Sequence, residues 1–380
     1  MLATRGANAI IGAVVGDAAS LGTHWLYARE AVEAATGGRL GAGGEFTHPP
    51  VPAYHRARRA GQGSMYAEGL LCMARVLAAN KNVLSAPAFL QEWKASFGVC
   101  GTFCGYADGV TRATLYNMMR VAAENEAATH PPKGAPEALR GPLFQAVKAA
   151  AAELSGEALA ARAAAIPGEL GAPGQEAWAG AAAAAWDRIL RAPVASSDAE
   201  SSNTLGKLVP AAVAAAGAAD FDARVAAALA VTQDAEEVAG YFVPLGRAIE
   251  AAVLGRAATP RAALEAALPH FEAARGARVR EALALADAGQ DTWAAVAKFG
   301  ASCSAASTAP MAAFVLARYG SEGLAGALRH NFVGESCARA CVIGAVLGAL
   351  GGVPEDWLAR LDPALRQETE ALAATIAGRL

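Results

Sequence analysis

Two carboxylates and one imidazole stand in sequence contexts that suit acid–base chemistry. Asp17 and His24 lie seven residues apart in the segment GDAASLGTHW. On an α-helix this spacing is two turns, so both side chains would point the same way. Glu335 follows Gly334 and precedes an apolar helical pattern, where free backbone N–H groups favour an anion. Brought together in one cleft, these groups could act as general acid and general base.

Each of the three residues also has a structural interpretation. Asp17 could brace a neighbouring stretch of backbone, and His24 could be a core histidine with one satisfied nitrogen. Glu335 could be an ordinary glutamate at the start of a helix. The residue types and spacings alone leave both sets of interpretations open.

The elements that must position these residues are helices. Apolar residues make up 54% of the 380 residues and aromatic residues only 6%, with alanine in long runs. This balance favours helix over sheet. Apolar positions recur at helical spacing, and we predict an all-α fold of a dozen or more helices, with 9–30, 64–79 and 338–350 among them.

Three polar breaks rich in glycine and proline interrupt the middle of the chain, at 129–142, 167–175 and 192–206. They do not separate two halves of different composition, and no internal repeat is evident. We therefore predict a single domain over 1–380 with a loop-rich central excursion over about 124–206.

Charge and hydropathy argue against two classes of partner. Lys and Arg total 32 and Asp and Glu total 35, so the formal net charge is −3, without the basic excess of a nucleic-acid binder. The longest charge-free segments are too polar or too short to span a membrane. The carboxylate of Asp17 interrupts a start that otherwise mimics a signal peptide. We expect a soluble, cytoplasmic protein that binds neither nucleic acid nor membranes.

The six cysteines form no CxxC pair and are too sparse for a disulfide framework. Cys100 with Cys104, and Cys337 with Cys341, have the spacing of one helix face. Small buried side chains in a reducing compartment are one interpretation, and a soft-metal site is the other.

Other charged residues are expected at the surface. Asp108 and Arg112 have the spacing of an exposed helical ion pair. Arg339 could reach a phosphate, although a surface position is favoured.

Several motifs, taken in order, resemble the ADP-ribosylglycohydrolase superfamily and most closely its J-crystallin branch. They are GDAASLGTHWLY, GQGSMYAEG, GYADGVTRATL, NTLGKLVPAAVA, VTQDAEEVAGY and, near the end, VGESCARACVIGAVLGAL. The resemblance implies a compact orthogonal multi-helix bundle. For active members it implies a cleft in which two magnesium ions assist hydrolysis of the glycosidic bond between ADP-ribose and a protein side chain.

The resemblance also implies where the metal ligands should stand. The family's cluster Thr-Asp-Asp-Thr matches 64–67, which read Ser-Met-Tyr-Ala, and its cluster Gly-Gly-Asp-Thr-Asp-Thr matches 333–338, which read Val-Gly-Glu-Ser-Cys-Ala. An early glutamate of the family falls on His24, whereas Asp17 is retained. Of the carboxylates in the two clusters only Glu335 persists.

These replacements remove most of the hard oxygen donors that magnesium requires. We therefore predict that the magnesium pair is lost and that no cofactor is bound. A single zinc ion on His24, Glu335 and Cys337 is the alternative. If any metal is held, Glu335 and Asp17 are the expected ligands.

The matching positions should line one cleft. The predicted catalytic residues are Asp17, His24 and Glu335, and the predicted substrate-binding residues are Ser64, Tyr66, Ser336 and Cys337.

Three functions remain open at this point. The lost ligands favour an inactive or altered ADP-ribosylglycohydrolase-like protein. It would be either a binding module for an ADP-ribose-like small molecule or a structural module with a protein assembly partner. The alternative is an active hydrolase of a glycosidic bond of ADP-ribose or a related nucleotide, with a remodelled site. Convergence of the catalytic candidates would favour the enzyme, and a cleft filled by Trp25, Met65 and Tyr66 would favour the structural module.

Overall fold

The computed structural model describes residues 1–50, 54–125 and 130–380. Within these ranges the chain is helical and contains no β-strand, which confirms the predicted fold class. Its helices are α1 (Leu2–Ser20), α2 (Arg29–Ala35), α3 (Met65–Ala79), α4 (Ala86–Phe97), α5 (Gly109–Glu124), α6 (Glu137–Glu153), α7 (Gly156–Glu169), α8 (Glu176–Arg191), α9 (Leu205–Ala215), α10 (Phe221–Ala230), α11 (Glu236–Val253), α12 (Pro260–Ala267), α13 (Ala273–Asp287), α14 (Thr292–Phe299), α15 (Ala305–Tyr319), α16 (Gly323–Arg329), α17 (Ser336–Gly351), α18 (Glu355–Leu358) and α19 (Pro363–Ala377).

The chain divides into two compact units, which are described separately. The larger unit comprises Met1–Thr111 and Ser197–Leu380, and the smaller comprises Arg112–Ser196. The smaller unit has its own apolar core, with Leu143, Leu159 and Trp186 among its residues. It overlaps the predicted excursion over about 124–206, and α6, α7 and α8 lie within that range. The prediction of a single domain over 1–380 stays a prediction.

Helices α1 and α17 form the closest packed pair in the larger unit. A Cβ added at Gly12 would lie 2.2 Å from the carbonyl oxygen of Gly344, so only glycine allows the two backbones to touch there. Along the same contact Gly16 lies against Ala340. Residue numbers rise in α1 as they fall in α17, so the helices are antiparallel. The C-terminal end of α1 therefore meets the N-terminal end of α17.

Of the three helices predicted near the candidate site, two are confirmed and one is wrong. The predictions for 64–79 and 338–350 are confirmed by α3 and α17. The prediction of one helix over 9–30 is wrong, because α1 ends at Ser20 and is followed by a 3₁₀ turn over Leu21–Thr23. Gly22 lies in this turn and packs closely against Thr47, where a Cβ would lie 2.5 Å from the Thr47 carbonyl oxygen. Asp17 and His24 consequently do not share a helix face.

The cysteines divide by location. Cys337 and Cys341 lie in α17 and are buried, whereas Cys100 and Cys104 follow α4 and are exposed. Neither Cys100 nor Cys104 is in a helix, so their spacing does not place them on one helix face.

None of the helices in the described ranges combines the length and the apolar character that crossing a membrane requires.

Candidate functional site

Glu335 is a fully buried carboxylate at the start of α17. Its Oε2 accepts a hydrogen bond from the indole N–H of Trp25 at 2.7 Å, and its Oε1 accepts a short one from the hydroxyl of Tyr66. Burial raises the pKa of Glu335, while the donors Tyr66 and Trp25 and the charge of Arg339 oppose that rise. Both oxygens of this carboxylate are thus engaged by donors of the protein itself.

His24 lies beside this carboxylate in its neutral form. Its Nδ1 accepts a hydrogen bond from the backbone N–H of Cys337 at 3.2 Å, which assigns the ring proton to Nε2. That Nε2 lies 3.5 Å from Oε1 of Glu335 without forming a hydrogen bond. Burial, together with the nearby His55 and Arg339, lowers the pKa of His24 well below its usual value. His24 is therefore a neutral imidazole whose Nε2 lies close to Glu335 but has no hydrogen-bond partner among the described residues.

Asp17 accepts hydrogen bonds at the N-terminus of α3. Its Oδ1 accepts from the backbone N–H of Ser64 at 2.7 Å, and its Oδ2 accepts a short hydrogen bond from the Ser64 hydroxyl. The Ser64 oxygen in turn accepts from the N–H of Tyr66 at 3.1 Å, capping the helix. Burial raises the pKa of Asp17 to about 6. This geometry favours the structural interpretation of Asp17.

The first turn of α3 connects the two carboxylates, because Ser64 contacts Asp17 and Tyr66 contacts Glu335. Cys337 joins them through its N–H on His24 and through its thiol, which lies 3.5 Å from the carbonyl oxygen of Asp17. The structure therefore brings these early, middle and late segments together.

Ser336 points elsewhere. Its hydroxyl donates to the carbonyl oxygen of Ser20 at 3.4 Å, at the end of α1. This contact joins the start of α17 to the end of α1. The hydroxyl therefore faces α1 and not Glu335. The substrate-binding role expected for Ser336, like the roles of the other candidates, stays a prediction.

A layer of rings covers the centre, which the sequence did not reveal. The indole of Trp25 stacks on His24 and His55, with centroid distances of 4.5 and 4.9 Å. It stands nearly perpendicular to Tyr54 and Tyr106, at 5.1 and 5.0 Å. Trp25 belongs to one of the quoted motifs, but only the folded chain shows that its indole reaches Glu335, 310 residues away.

Arg339 is another missed residue, and its predicted surface position is wrong. Its guanidinium is fully buried in α17, where it donates to Oδ1 of Asn331 at 2.8 Å and to the carbonyl oxygens of Asn331 and Val333. Burial lowers the pKa of Arg339 to about 10, which leaves it charged at neutral pH. It holds the loop that leads into Glu335.

Asp108 is buried, so its predicted exposed position is wrong as well. Its Oδ1 caps α5 by accepting from the N–H of Thr111 at 2.8 Å, and both oxygens accept from the amide of Asn203 at 3.0 Å. Lys207 is also fully buried, and its amine has no hydrogen-bond partner among the described residues. Burial lowers the pKa of Lys207 to about 7.

The donor set at Glu335 does not fit magnesium. Indole N–H and phenol O–H groups direct positive hydrogens at the carboxylate, whereas a magnesium ion requires several oxygen lone pairs around it. In the described part of the chain, no group of three or more His, Cys, Asp or Glu side chains could hold a metal ion.

Comparisons with known proteins agree with the architecture. A family model described as ADP-ribosylglycohydrolase matches residues 2–380. A solved structure titled "ADP-ribosylglycohydrolase-related protein complex" is similar over 100% of this chain and 98% of that chain, with a TM-score of 0.59 and 18% identity. At this identity the similarity shows the fold alone. No curated protein matches the chain. Membership of the J-crystallin branch stays a prediction.

Proposed function

The chain belongs to the ADP-ribosylglycohydrolase family, and we propose that it has lost magnesium-dependent hydrolysis and uses its centre as a binding or structural module. The observation that carries this proposal is that donors of the protein itself engage both oxygens of each of the two remaining carboxylates. Ser64 occupies both oxygens of Asp17, and Trp25 and Tyr66 occupy those of Glu335.

Converting this centre into a magnesium site would require two unfavourable changes. The buried donors of Ser64, Tyr66 and Trp25 would lose their acceptors, at a cost of about 1–3 kcal/mol for each unpaired group. The dications would also lack the anionic oxygens that compensate for burying their charge. The residues at the matching positions, Met65 and Cys337 among them, do not supply those oxygens.

A single zinc ion is no better supported. The Cys337 thiol contacts the carbonyl oxygen of Asp17. Zinc sites in proteins use three or four ligands, and no group of three or more His, Cys, Asp or Glu side chains among the described residues could hold a metal ion. We therefore propose that the protein holds no resident metal.

The proposed ligand is an ADP-ribose-like small molecule, which the family membership supports. A protein assembly partner is the corresponding proposal for a structural module. A cytoplasmic location and the lack of nucleic-acid and membrane binding belong to the same proposal.

One observation favours the alternative, an active hydrolase of a glycosidic bond with a remodelled site. A carboxyl group with a raised pKa and a neutral imidazole lie 3.5 Å apart, as Glu335 and His24. A carboxyl group and an imidazole are the usual groups of general acid–base catalysis. Both side chains are fully buried beneath Trp25, which weighs against turnover on a protein substrate.

An activity assay distinguishes a protein that has lost hydrolysis from a remodelled hydrolase. Peptides ADP-ribosylated on arginine or serine are incubated with the wild-type protein and millimolar magnesium, with Glu335→Ala as the blank. We expect no release of ADP-ribose above that blank. Magnesium-stimulated release by the wild type that the variant abolishes would overturn the proposal, and release without magnesium would support the remodelled hydrolase.

A further inference from the structure

Tyr66 is a buried phenol whose hydroxyl is paired with a carboxylate. The residue is 2% exposed, and its O–H donates a short hydrogen bond to Oε1 of Glu335, which is fully buried. Oxidation of a phenol to its neutral radical removes one electron and one proton. A base that already accepts a hydrogen bond from the O–H can take that proton without any movement of heavy atoms. This geometry therefore suits the loss of an electron from Tyr66.

The charges around Tyr66 favour the same reaction. Burial raises the pKa of the Tyr66 phenol well above its usual value, and the carboxylates of Glu335 and Asp108 raise it further. These negative charges oppose a phenolate, but they attract the positive charge that the removal of an electron creates. Transfer of the phenol proton to Glu335 then leaves a neutral radical beside a neutral carboxyl group. The carboxylate charge, which burial disfavours, disappears in this step.

A series of aromatic rings leads from this buried pair to the surface. Glu335 accepts hydrogen bonds both from Tyr66 and from the indole N–H of Trp25. The ring centroid of Trp25 lies 5.1 Å from that of Tyr54 and 5.0 Å from that of Tyr106. Tyr54 is 69% exposed. Tryptophan and tyrosine are among the side chains that release an electron most readily, and rings in contact exchange electrons rapidly.

We propose that Tyr66 is a redox-active residue that gives up one electron, through Trp25 and Tyr54, to a one-electron oxidant at the protein surface. The oxidant is an oxygen-centred radical such as a peroxyl radical, which gains the electron and becomes a hydroperoxide after taking a proton from water. The O–H bond of Tyr66 breaks, and its proton forms a new O–H bond with Oε1 of Glu335. The unpaired electron remains on the phenoxyl group. This activity goes beyond the binding or structural function proposed above, since it involves neither ADP-ribose nor a metal.

The first test oxidises the wild-type chain from outside. Photogenerated tris(bipyridine)ruthenium(III) is a bulky one-electron oxidant that cannot enter the protein interior. The sample is frozen after the flash, and tyrosyl radicals are detected by electron paramagnetic resonance. We expect a tyrosyl signal that persists after exposed radicals have coupled between molecules, and we expect Tyr66→Phe to lose it. A persistent signal that remains unchanged in Tyr66→Phe would overturn the proposal.

Tyr319→Phe is the matched control for this variant. Tyr319 is also buried, at 5% exposed, but its ring stacks on the imidazole of His330 with a centroid distance of 3.7 Å. The persistent signal should keep its wild-type intensity in Tyr319→Phe. Loss of the signal in this variant would assign the radical to Tyr319 and overturn the proposal.

Glu335→Gln tests the proton acceptor while leaving Tyr66 in place. The glutamine oxygen can accept from Trp25, and its amide NH₂ can donate to the phenol oxygen, but it cannot take the phenol proton. We expect the persistent signal to be lost in Glu335→Gln, with circular dichroism showing that the variant is folded. A wild-type signal in the folded variant would show that Glu335 is not the acceptor and would overturn the proposal.

Trp25→Phe tests the route to the surface, because phenylalanine does not release an electron to this oxidant. We expect the persistent Tyr66 signal to be lost in Trp25→Phe and retained in Trp93→Phe. Trp93 is 1% exposed, and its ring packs against Phe89 and Phe97. Formation of the Tyr66 radical in Trp25→Phe at the wild-type yield would overturn the proposed route.

Discussion

Asp17 and Glu335 are both fully buried carboxylates, yet the chain uses them differently. Ser64 binds Asp17 through its backbone N–H and its hydroxyl. Two aromatic side chains from different segments, Trp25 and Tyr66, hold Glu335. The local polar donors make Asp17 part of the N-terminus of α3, whereas the aromatic donors place Glu335 beneath a layer of rings.

Retention of a carboxylate in the sequence therefore does not imply retention of its chemistry. Burial raises the pKa of both groups, so each needs donors to remain ionised. The donors to Asp17 come from Ser64 at the N-terminus of α3, which Asp17 holds in place, so its role is structural. Glu335 obtains one donor from Trp25, which is half-buried and has a positive φ of 65°.

The largest expected effect comes from removing the structural carboxylate. Asp17→Ala leaves the N–H and hydroxyl of Ser64 without acceptors inside the protein, and we expect the free energy of unfolding to fall by about 4 kcal/mol. Asp17→Asn should recover part of this loss, because its amide oxygen still accepts from the N–H. Urea unfolding measures both. A loss below about 1 kcal/mol in Asp17→Ala would show that Asp17 does not hold α3.

The pH dependence of stability gives the next largest effect. The pKa of Asp17 is about 6 in the folded state against 3.8 in a model compound, so the folded protein binds this proton more tightly than the unfolded one. Relative to Asp17→Asn, the wild type should therefore lose stability as pH rises from about 4 to about 6, by about 3 kcal/mol in total, and change little above that.

Unfolding of the two proteins at a series of pH values isolates this term, since all other groups are shared. A difference that is flat or rises with pH across that range would contradict the burial of an ionisable Asp17.

Trp25→Phe tests the hydrogen bond between the Trp25 indole and Glu335. It keeps a ring over the centre but removes the N–H on Glu335, and we expect a loss of about 2 kcal/mol in unfolding free energy together with a further rise in the pKa of Glu335. Trp93→Phe is the control, because its indole nitrogen has no acceptor among the described residues. Equal losses in the two variants would mean that the hydrogen bond to Glu335 contributes nothing.

The smallest effect is expected at Cys337. Its thiol makes only a weak contact with the carbonyl oxygen of Asp17, at 3.5 Å, so Cys337→Ala should lower the unfolding free energy by about 1 kcal/mol. Added zinc should leave the melting temperature of the wild type and of the variant unchanged. A rise with zinc in the wild type alone would restore Cys337 as a metal ligand.

Two of the helices and several of the site residues could be predicted from the sequence, but the contacts between those residues could not. The periodicity of apolar residues predicts α3 and α17. The resemblance to the family's motifs predicts Ser64, Tyr66 and Glu335 as site residues. The partners of those residues depend on tertiary contacts: Trp25 lies 310 residues from Glu335, and the burial of Arg339 depends on the loop that it holds. No local pattern encodes such contacts, so they became visible only in the folded chain.

Thermal unfolding of the wild-type protein with and without millimolar magnesium tests whether the chain retains a magnesium site. A ligand that binds only the folded state raises the melting temperature. Because protein donors occupy both carboxylates, we predict that magnesium leaves the melting temperature unchanged in the wild type and in Glu335→Ala. A magnesium-dependent rise in the wild type that disappears in Glu335→Ala would show that the metal site persists and would contradict the account.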